Sequence, residues 1–174
     1  AGKIVDLGES RGSLEEKVPV ENCDVIDLQG RLVLPGLFDA HIHCYHMGMA
    51  TRHCSLEECK SIAQLQEKLS SFRREKPDFC KVSIQGAGWA QDDLGRYPTR
   101  EDLDMVVSDI PVILYRRCHH VAVVNSKALE ICGIVKGMQP ADGVVDFDES
   151  TGEPTGILRE GACTTLVAPI IGNI

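Results

Sequence analysis

The N-terminal part of the chain alternates short apolar runs with breaks at glycine. Residues 2–8 (GKIVDLG) and 25–36 (VIDLQGRLVLPG) are each typical of short strands, since β-branched residues and leucine fill the runs and glycine ends them. Residues 32–43 (LVLPGLFDAHIH) are apolar almost throughout, with polar side chains only at the end, which predicts a buried strand. We expect a small β layer followed by that strand.

The pattern becomes helical after residue 60. Ser61 and Gln64 have the spacing of a capping box, which marks a helix start, and Pro77 marks the end of the same run. Apolar residues recur between them at helical intervals and would form one buried face, namely Ile62, Leu65, Leu69 and Phe72.

Strands and short helices alternate through the rest of the chain. The patterns predict strands over 79–89 and 111–118, a hairpin over 143–160, and helices near 99–102, 125–133 and from 161. An order of this kind predicts an α/β or α+β fold.

Composition places the chain among ordinary globular proteins. Its 174 residues could form one compact domain. With a net charge of −8, the chain lacks the excess of basic side chains that binding to nucleic acids or anionic membranes requires. No apolar run is long enough to span a membrane, and the first residues do not resemble a signal peptide. Several of the eight cysteines lie in apolar runs, so we expect reduced thiols and a cytoplasmic protein.

The densest group of candidate ligands lies at the end of the predicted buried strand. Residues i and i+2 of a strand point to the same face, so His41 and His43 would aim two imidazoles at one divalent metal ion. Asp39 shares that face and could orient a ligand histidine or polarise a bound water. The alternative is a pair of histidines at a solvated strand end.

The flanking motifs resemble those of the metal-dependent amidohydrolases, in particular the amidohydrolase 3 family, which includes N-substituted formamide deformylases. The motifs are GRLVLPGLFDAHIH, GAGW, PTREDLD, PVILYRRCHHVAVVNSKALEICGI and GEPTGILREGA, in that order. The resemblance implies a partial (β/α)₈ barrel of the α/β class. Residues 1–34 would be a remnant of a small β-sandwich domain, and residues 35–174 would form the first barrel strand with an inserted α+β subdomain.

The resemblance also implies roles for single residues. His41 and His43 match the first two metal ligands of the family, whose metal, zinc in our expectation, activates a water that attacks the carbonyl of a small amide-type substrate. His120 would reach the substrate pocket, although the family usually has glycine where this chain has His119. Trp89 and Arg117 could contact substrate, with core packing and a surface ion pair as their alternatives. Glu160 would be a metal ligand or a structural carboxylate.

Two cysteine-based alternatives compete with this interpretation. A structural zinc site could use Cys44, His46, Cys54 and Cys59, but their spacing lacks the Cys-x-x-Cys knuckle that such sites prefer. Cys118 beside His119 could act as a nucleophile with a neighbouring base. His53 has no partner at ligand spacing, so we expect it to be exposed.

The metal site that these residues begin is not completed in the sequence. No histidine follows His120, whereas a catalytic zinc site normally has three protein ligands. We therefore expect the chain to be a fragment of a hydrolase of non-peptide carbon–nitrogen bonds, inactive by itself. The alternative is a non-catalytic α/β module whose open sheet edges would favour homo-oligomers.

Overall fold

The computed structural model describes residues 3–4, 7–8, 24–40, 48 and 51–171. The chain divides into two compact units, Ala1–Ile42 and His43–Ile174. The predicted domain boundary at residues 34 and 35 stays a prediction, as does the β-sandwich remnant.

Residues 24–40 of the first unit form no strand. A turn closes with the bond from the Arg31 N–H to the Leu28 carbonyl, at 3.0 Å. The apolar side chains that follow are exposed, as shown by Leu37 at 97% and Phe38 at 90%. The strand predicted over 25–36 and the described part of the one over 32–43 are therefore wrong. A strand requires a neighbour for its backbone groups, and none of the described residues pairs with this segment. The strand over 2–8 lies largely outside the described residues.

The second unit contains a mixed six-stranded sheet, which confirms the α/β class. Its strands are β1 (Cys54–Ser55), β2 (Ile84–Trp89), β3 (Val112–Arg116), β4 (Val121–Val124), β5 (Val144–Phe147) and β6 (Pro154–Arg159). Their order across the sheet is β1-β2-β3-β4-β6-β5. The first three strands are parallel, and each later pairing is antiparallel. The predicted elements did not include β1 or β4.

Helices pack on both faces of this sheet. They are α1 (Ile62–Glu75), α2 (Gln91–Leu94), α3 (Arg100–Asp104) and α4 (Ser126–Ile131), and a π-helical turn (Cys163–Val167) continues into α5 (Ala168–Ile171). None of the helices in the described part of the chain combines the length and apolar character that a bilayer crossing requires.

The predicted start of α1 is confirmed. The Ser61 hydroxyl accepts the Gln64 N–H at 3.2 Å, and the Gln64 side chain accepts the Lys60 N–H at 2.7 Å. Leu65 and Leu69 are fully buried in one core cluster, as the apolar spacing of this helix predicts.

Asn125 is a buried polar side chain that joins three elements. Its Oδ1 accepts the N–H groups of Val112 at the start of β3 (3.0 Å) and Ala128 in α4 (2.9 Å). Its Nδ2 donates to the carbonyls of Val107 (2.8 Å) and Ile110 (2.9 Å) in the preceding loop. The whole amide is therefore satisfied within the protein, as burial demands.

We predict that Asn125→Ala lowers the free energy of unfolding by about 3 kcal/mol, since several buried backbone groups lose their partner together. Urea denaturation followed by circular dichroism would measure the change. The matched control is Ser61→Ala, which removes a partly exposed helix cap and should cost about 1 kcal/mol. Equal losses in the two variants would contradict the role given to Asn125.

Candidate functional site

The structure brings two of the candidate site residues, His120 and Glu160, into contact. Strand β4 pairs with β6 so that Val121 lies opposite Arg159. The residue before β4 and the residue after β6 therefore meet at the same end of these two neighbouring strands. The Glu160 N–H donates to the His120 carbonyl at 2.7 Å, and the Nδ1 of His120 lies 2.9 Å from the Oε2 of Glu160.

The contact changes the acid–base behaviour of the histidine. The hydrogen bond to Glu160, followed by the charge of that carboxylate, raises the pKa of His120. Both side chains remain open to solvent, with 68% of His120 and 62% of Glu160 exposed. The pair therefore presents an imidazole that binds its proton more tightly than a free histidine does.

The backbone around this pair is strained. Among the described residues, three that are not glycine have a positive φ, and two of them are His119 (61°) and Glu160 (51°). Left-handed conformations of this kind are costly without glycine and tend to gather at functional sites. His119 also stacks on Tyr115, with 5.9 Å between the ring centroids. The backbone at residue 119 thus has the left-handed conformation that favours glycine, although the residue is a histidine.

Cys118 lies in the same loop and has an electropositive surrounding. Desolvation of its thiol is outweighed by hydrogen bonds from Arg116 and from the backbone N–H groups of His120 and Val121, which together lower its pKa. The Arg116 Nη1 lies 3.1 Å from the Cys118 sulfur. Of the six cysteines in the described residues, all of which are free, Cys118 is the exposed one. Among these six cysteines it is therefore the thiol best placed to react.

Arg117 of this loop forms the surface ion pair that was the alternative to substrate binding. Its Nη2 donates to Asp93 at 2.8 Å, and Asp93 also accepts from Lys60 at 2.6 Å. The hydrogen bonds from Lys60 and then Arg117 lower the pKa of Asp93. The loop is thereby tied to α2 and to the segment before α1.

Trp89 is fully buried in the core cluster around α1. Its Nε1 donates to the Leu114 carbonyl at 2.8 Å, and its ring meets Tyr97 edge-on at 5.9 Å. This is the core-packing alternative. Contact of Trp89 with substrate stays a prediction that these contacts do not support.

The proposed metal pair, His41 and His43, lies outside the described residues, as do Cys44 and His46. Asp39 is described and is exposed in the first unit. Within the described ranges, no three His, Cys, Asp or Glu side chains converge as a metal site would require. The roles of His41, His43, Asp39 and Glu160 toward a metal therefore stay predictions.

The structure also describes two further candidate residues, Cys54 and His53. Cys54 is completely buried, and burial raises its thiol pKa to about 12. His53 is half-buried, so its predicted exposure is wrong; the register of β1 and β2 places it beside Gln85.

Comparison with known proteins identifies relatives across most of the chain. A family model described as the amidohydrolase family matches residues 24–170. The chain is 32% identical to YtcJ of Bacillus subtilis, named as an amidohydrolase, and covers 28% of that protein with 86% of its own length. It is 30% identical to the N-substituted formamide deformylase of Arthrobacter pascens, with 95% of this chain and 30% of the relative covered.

A solved structure matches as well. It is an uncharacterized metal-dependent hydrolase from Pyrococcus horikoshii, with 35% sequence identity and a TM-score of 0.53. The match covers 88% of this chain and 27% of the other. The chain thus spans roughly a third or less of each of these three relatives.

We predict that Glu160→Gln lowers the pKa of His120 toward the ordinary imidazole value of 6.5, because the charge that stabilises its proton is removed. An NMR titration of the ring nitrogens would measure the shift, with Glu149→Gln in the β5–β6 turn as the control. The His120–Glu160 contact stabilises the folded chain fully at pH values below 6.5. This stabilisation is lost as the pH rises through the raised pKa of His120. An unchanged pKa would contradict the pairing.

We predict that iodoacetamide at neutral pH alkylates Cys118 faster than the buried Cys54 and Cys163, since the thiolate is the reacting form. Peptide mass spectrometry over time would give the rates. Arg116→Gln should slow the modification severalfold, whereas Arg74→Gln, on the exposed face of α1, should leave it unchanged. Equal rates in the two arginine variants would show that Arg116 does not activate the thiol.

Proposed function

The chain belongs to the amidohydrolase family, and we propose on that basis that this protein is a metal-dependent hydrolase of carbon–nitrogen bonds other than peptide bonds. The supporting observation is the family match over residues 24–170, which includes His41, His43, His120 and Glu160. The Arthrobacter relative is named as a formamide deformylase, and the Pyrococcus protein is described as a metal-dependent hydrolase. We infer a small amide-type substrate, and neither nucleic acid nor membrane as a partner.

The donor atoms of the chain suit a divalent metal, which we propose to be zinc. His41 and His43 would provide two imidazole nitrogens, and the Glu160 carboxylate oxygen that does not contact His120 would provide a third donor. When bound, such a metal activates water and polarises a substrate carbonyl. Asp39 would orient one of the ligand histidines.

The described residues would act on the substrate through the His120–Glu160 pair. Glu160 accepts from the Nδ1 of His120, so in the protonated ring the Nε2 is left to donate to a substrate oxygen. The raised pKa extends the protonated form of His120 to higher pH, which suits a residue that binds a carbonyl or a carboxylate. The pairing of β4 with β6, and the bond from the Glu160 N–H to the His120 carbonyl, would keep the pair in this orientation.

We further propose that the six-stranded sheet is the inserted subdomain of a (β/α)₈ barrel. The support is the similarity in fold and sequence to the Pyrococcus hydrolase. A cytoplasmic location and association into homo-oligomers are parts of the same proposal, and they follow from the cysteine content and from the short, open edge strand β1.

The metal assignment is tested with the 174-residue chain after zinc loading and dialysis. We expect bound zinc in the wild type and its loss in the double variant His41→Ala/His43→Ala, measured by elemental analysis. The control His53→Ala/His119→Ala removes the same number of histidines and should keep the metal. Zinc retained by the first double variant would show that His41 and His43 are not the ligands.

Release of amine from N-substituted formamides by the zinc-loaded chain is a separate measurement. We expect no turnover, because no histidine follows His120 in this sequence to complete a hydrolase site begun by His41, His43 and Glu160. Turnover that disappears in the His41→Ala/His43→Ala variant would support the hydrolase assignment but contradict the incomplete site. A chain that binds no zinc at all would favour the non-catalytic α/β module.

A further inference from the structure

A groove lies between the edge strand β1 and helix α1. Strand β1 stands at one end of the sheet order, so β2 is its single neighbour among the described strands. Ser55 and the turn after it form one wall of the groove, and one side of α1, from Gln64 to Glu75, forms the other. The volume is about 670 Å³, which is within the range of roughly 300–1,000 Å³ that ligand pockets occupy. The groove therefore has room for a short stretch of peptide.

The backbone of Ser55 is open on the side of β1 that faces away from β2. The Leu56 N–H donates to the Ala87 carbonyl of β2 at 2.8 Å, and successive residues of a strand direct their backbone groups to opposite edges. The N–H and C=O groups of Ser55 therefore point away from β2, and no backbone bond within the described residues occupies them. Unpaired groups of this kind are the template on which an added strand pairs.

Acidic side chains dominate the lining of this groove, which contains four glutamates and two lysines. Glu57, Glu58 and Glu67 are exposed and form no ion pair in the described part of the chain, whereas the fourth glutamate is paired with an arginine of α1. Of the lysines, Lys76 already donates to a backbone carbonyl at 3.2 Å. Three carboxylates without an ion pair therefore share the groove with one remaining ammonium group, that of Lys68.

The open backbone and the charge of the groove together define a partner. Strand addition requires an extended chain, and unpaired carboxylates favour a chain with basic side chains. Homo-oligomers formed through β1 would compete for the same edge, but a second copy brings the same carboxylates, and like charges repel. We propose that the groove binds an extended basic peptide by strand addition. The peptide backbone pairs with Ser55, and its lysine or arginine side chains meet Glu57, Glu58 and Glu67.

The probe is a fluorescein-labelled peptide of alternating lysine and threonine, whose anisotropy is measured as the 174-residue chain is added. We expect saturable binding with a Kd on the order of 100 µM, because an edge as short as β1 forms few backbone bonds. Binding should weaken severalfold between about 0.05 and 0.5 M salt, since salt screens the exposed charges. The backbone amide signal of Ser55 should shift in NMR spectra as the peptide binds.

Two further peptides separate strand addition from attraction by charge alone. The same sequence with every backbone nitrogen methylated keeps the charge but cannot donate to the Ser55 carbonyl, and a peptide of alternating glutamate and threonine reverses the charge. Each should bind about tenfold more weakly or worse.

A pair of double variants tests the carboxylates. Glu57→Gln/Glu67→Gln keeps both side-chain stems and should weaken binding about fivefold. The control Glu149→Gln/Glu153→Gln removes the same charge from the β5–β6 turn and should leave the Kd unchanged. The melting temperature of each double variant is measured, so that a loss of binding is compared only between folded chains.

Three results would overturn the proposal. If the methylated peptide binds as tightly as the first one, the backbone of Ser55 does not take part. If the two double variants bind equally, the attraction comes from the overall charge of the chain and not from the groove. If the lysine–threonine peptide does not bind, the groove is not a site for basic peptides, and sedimentation velocity would show whether a second copy occupies the edge instead.

Discussion

The arrangement of the described sheet depends on the hydrogen bonds of one buried amide. Asn125 follows β4, bonds to the first residue of β3, holds the loop before β3, and caps α4. An amide has two donors and two acceptor positions in a fixed plane, so only one relative placement of these elements satisfies it. Any other pairing of β3 with β4 would leave several polar groups buried without partners. Each such group would lower the free energy of unfolding.

The candidate site follows from that placement. Once β4 is aligned with β3, its pairing with β6 determines that the residue before β4 meets the residue after β6. His120 and Glu160 are thus brought together by a register that is specified in the core and not by any feature of the surface. The left-handed backbone at His119 and Glu160 shows that the loops accept strain to meet there. The site is exposed, but its geometry is decided by buried strands.

Local signals in the sequence were sufficient for some elements and failed for others. The capping box at Ser61 and the antiparallel hairpin over 143–160 were predicted, because both depend on residues close together in the chain. The strands predicted between residues 25 and 40 do not form, although their apolar pattern is clear. A strand is stable only against a neighbour, and pattern alone cannot say whether that neighbour is present. Strand β4 was missed although its residues, Val121–Val124, form a valine-rich run typical of a strand; the run is short, and the loop before it is rich in charge and histidine.

The sequence by itself therefore determined the chemistry that is available: a family whose motifs run through most of the chain, an imidazole pair at residues 41 and 43, and the identities of His120 and Glu160. Contact between His120 and Glu160 and the burial of Trp89 and Asn125 were decided by tertiary structure alone. The physical reason is distance along the chain. Forty residues separate His120 from Glu160, and side chains so far apart meet only through strand register, which depends on every buried hydrogen bond between them.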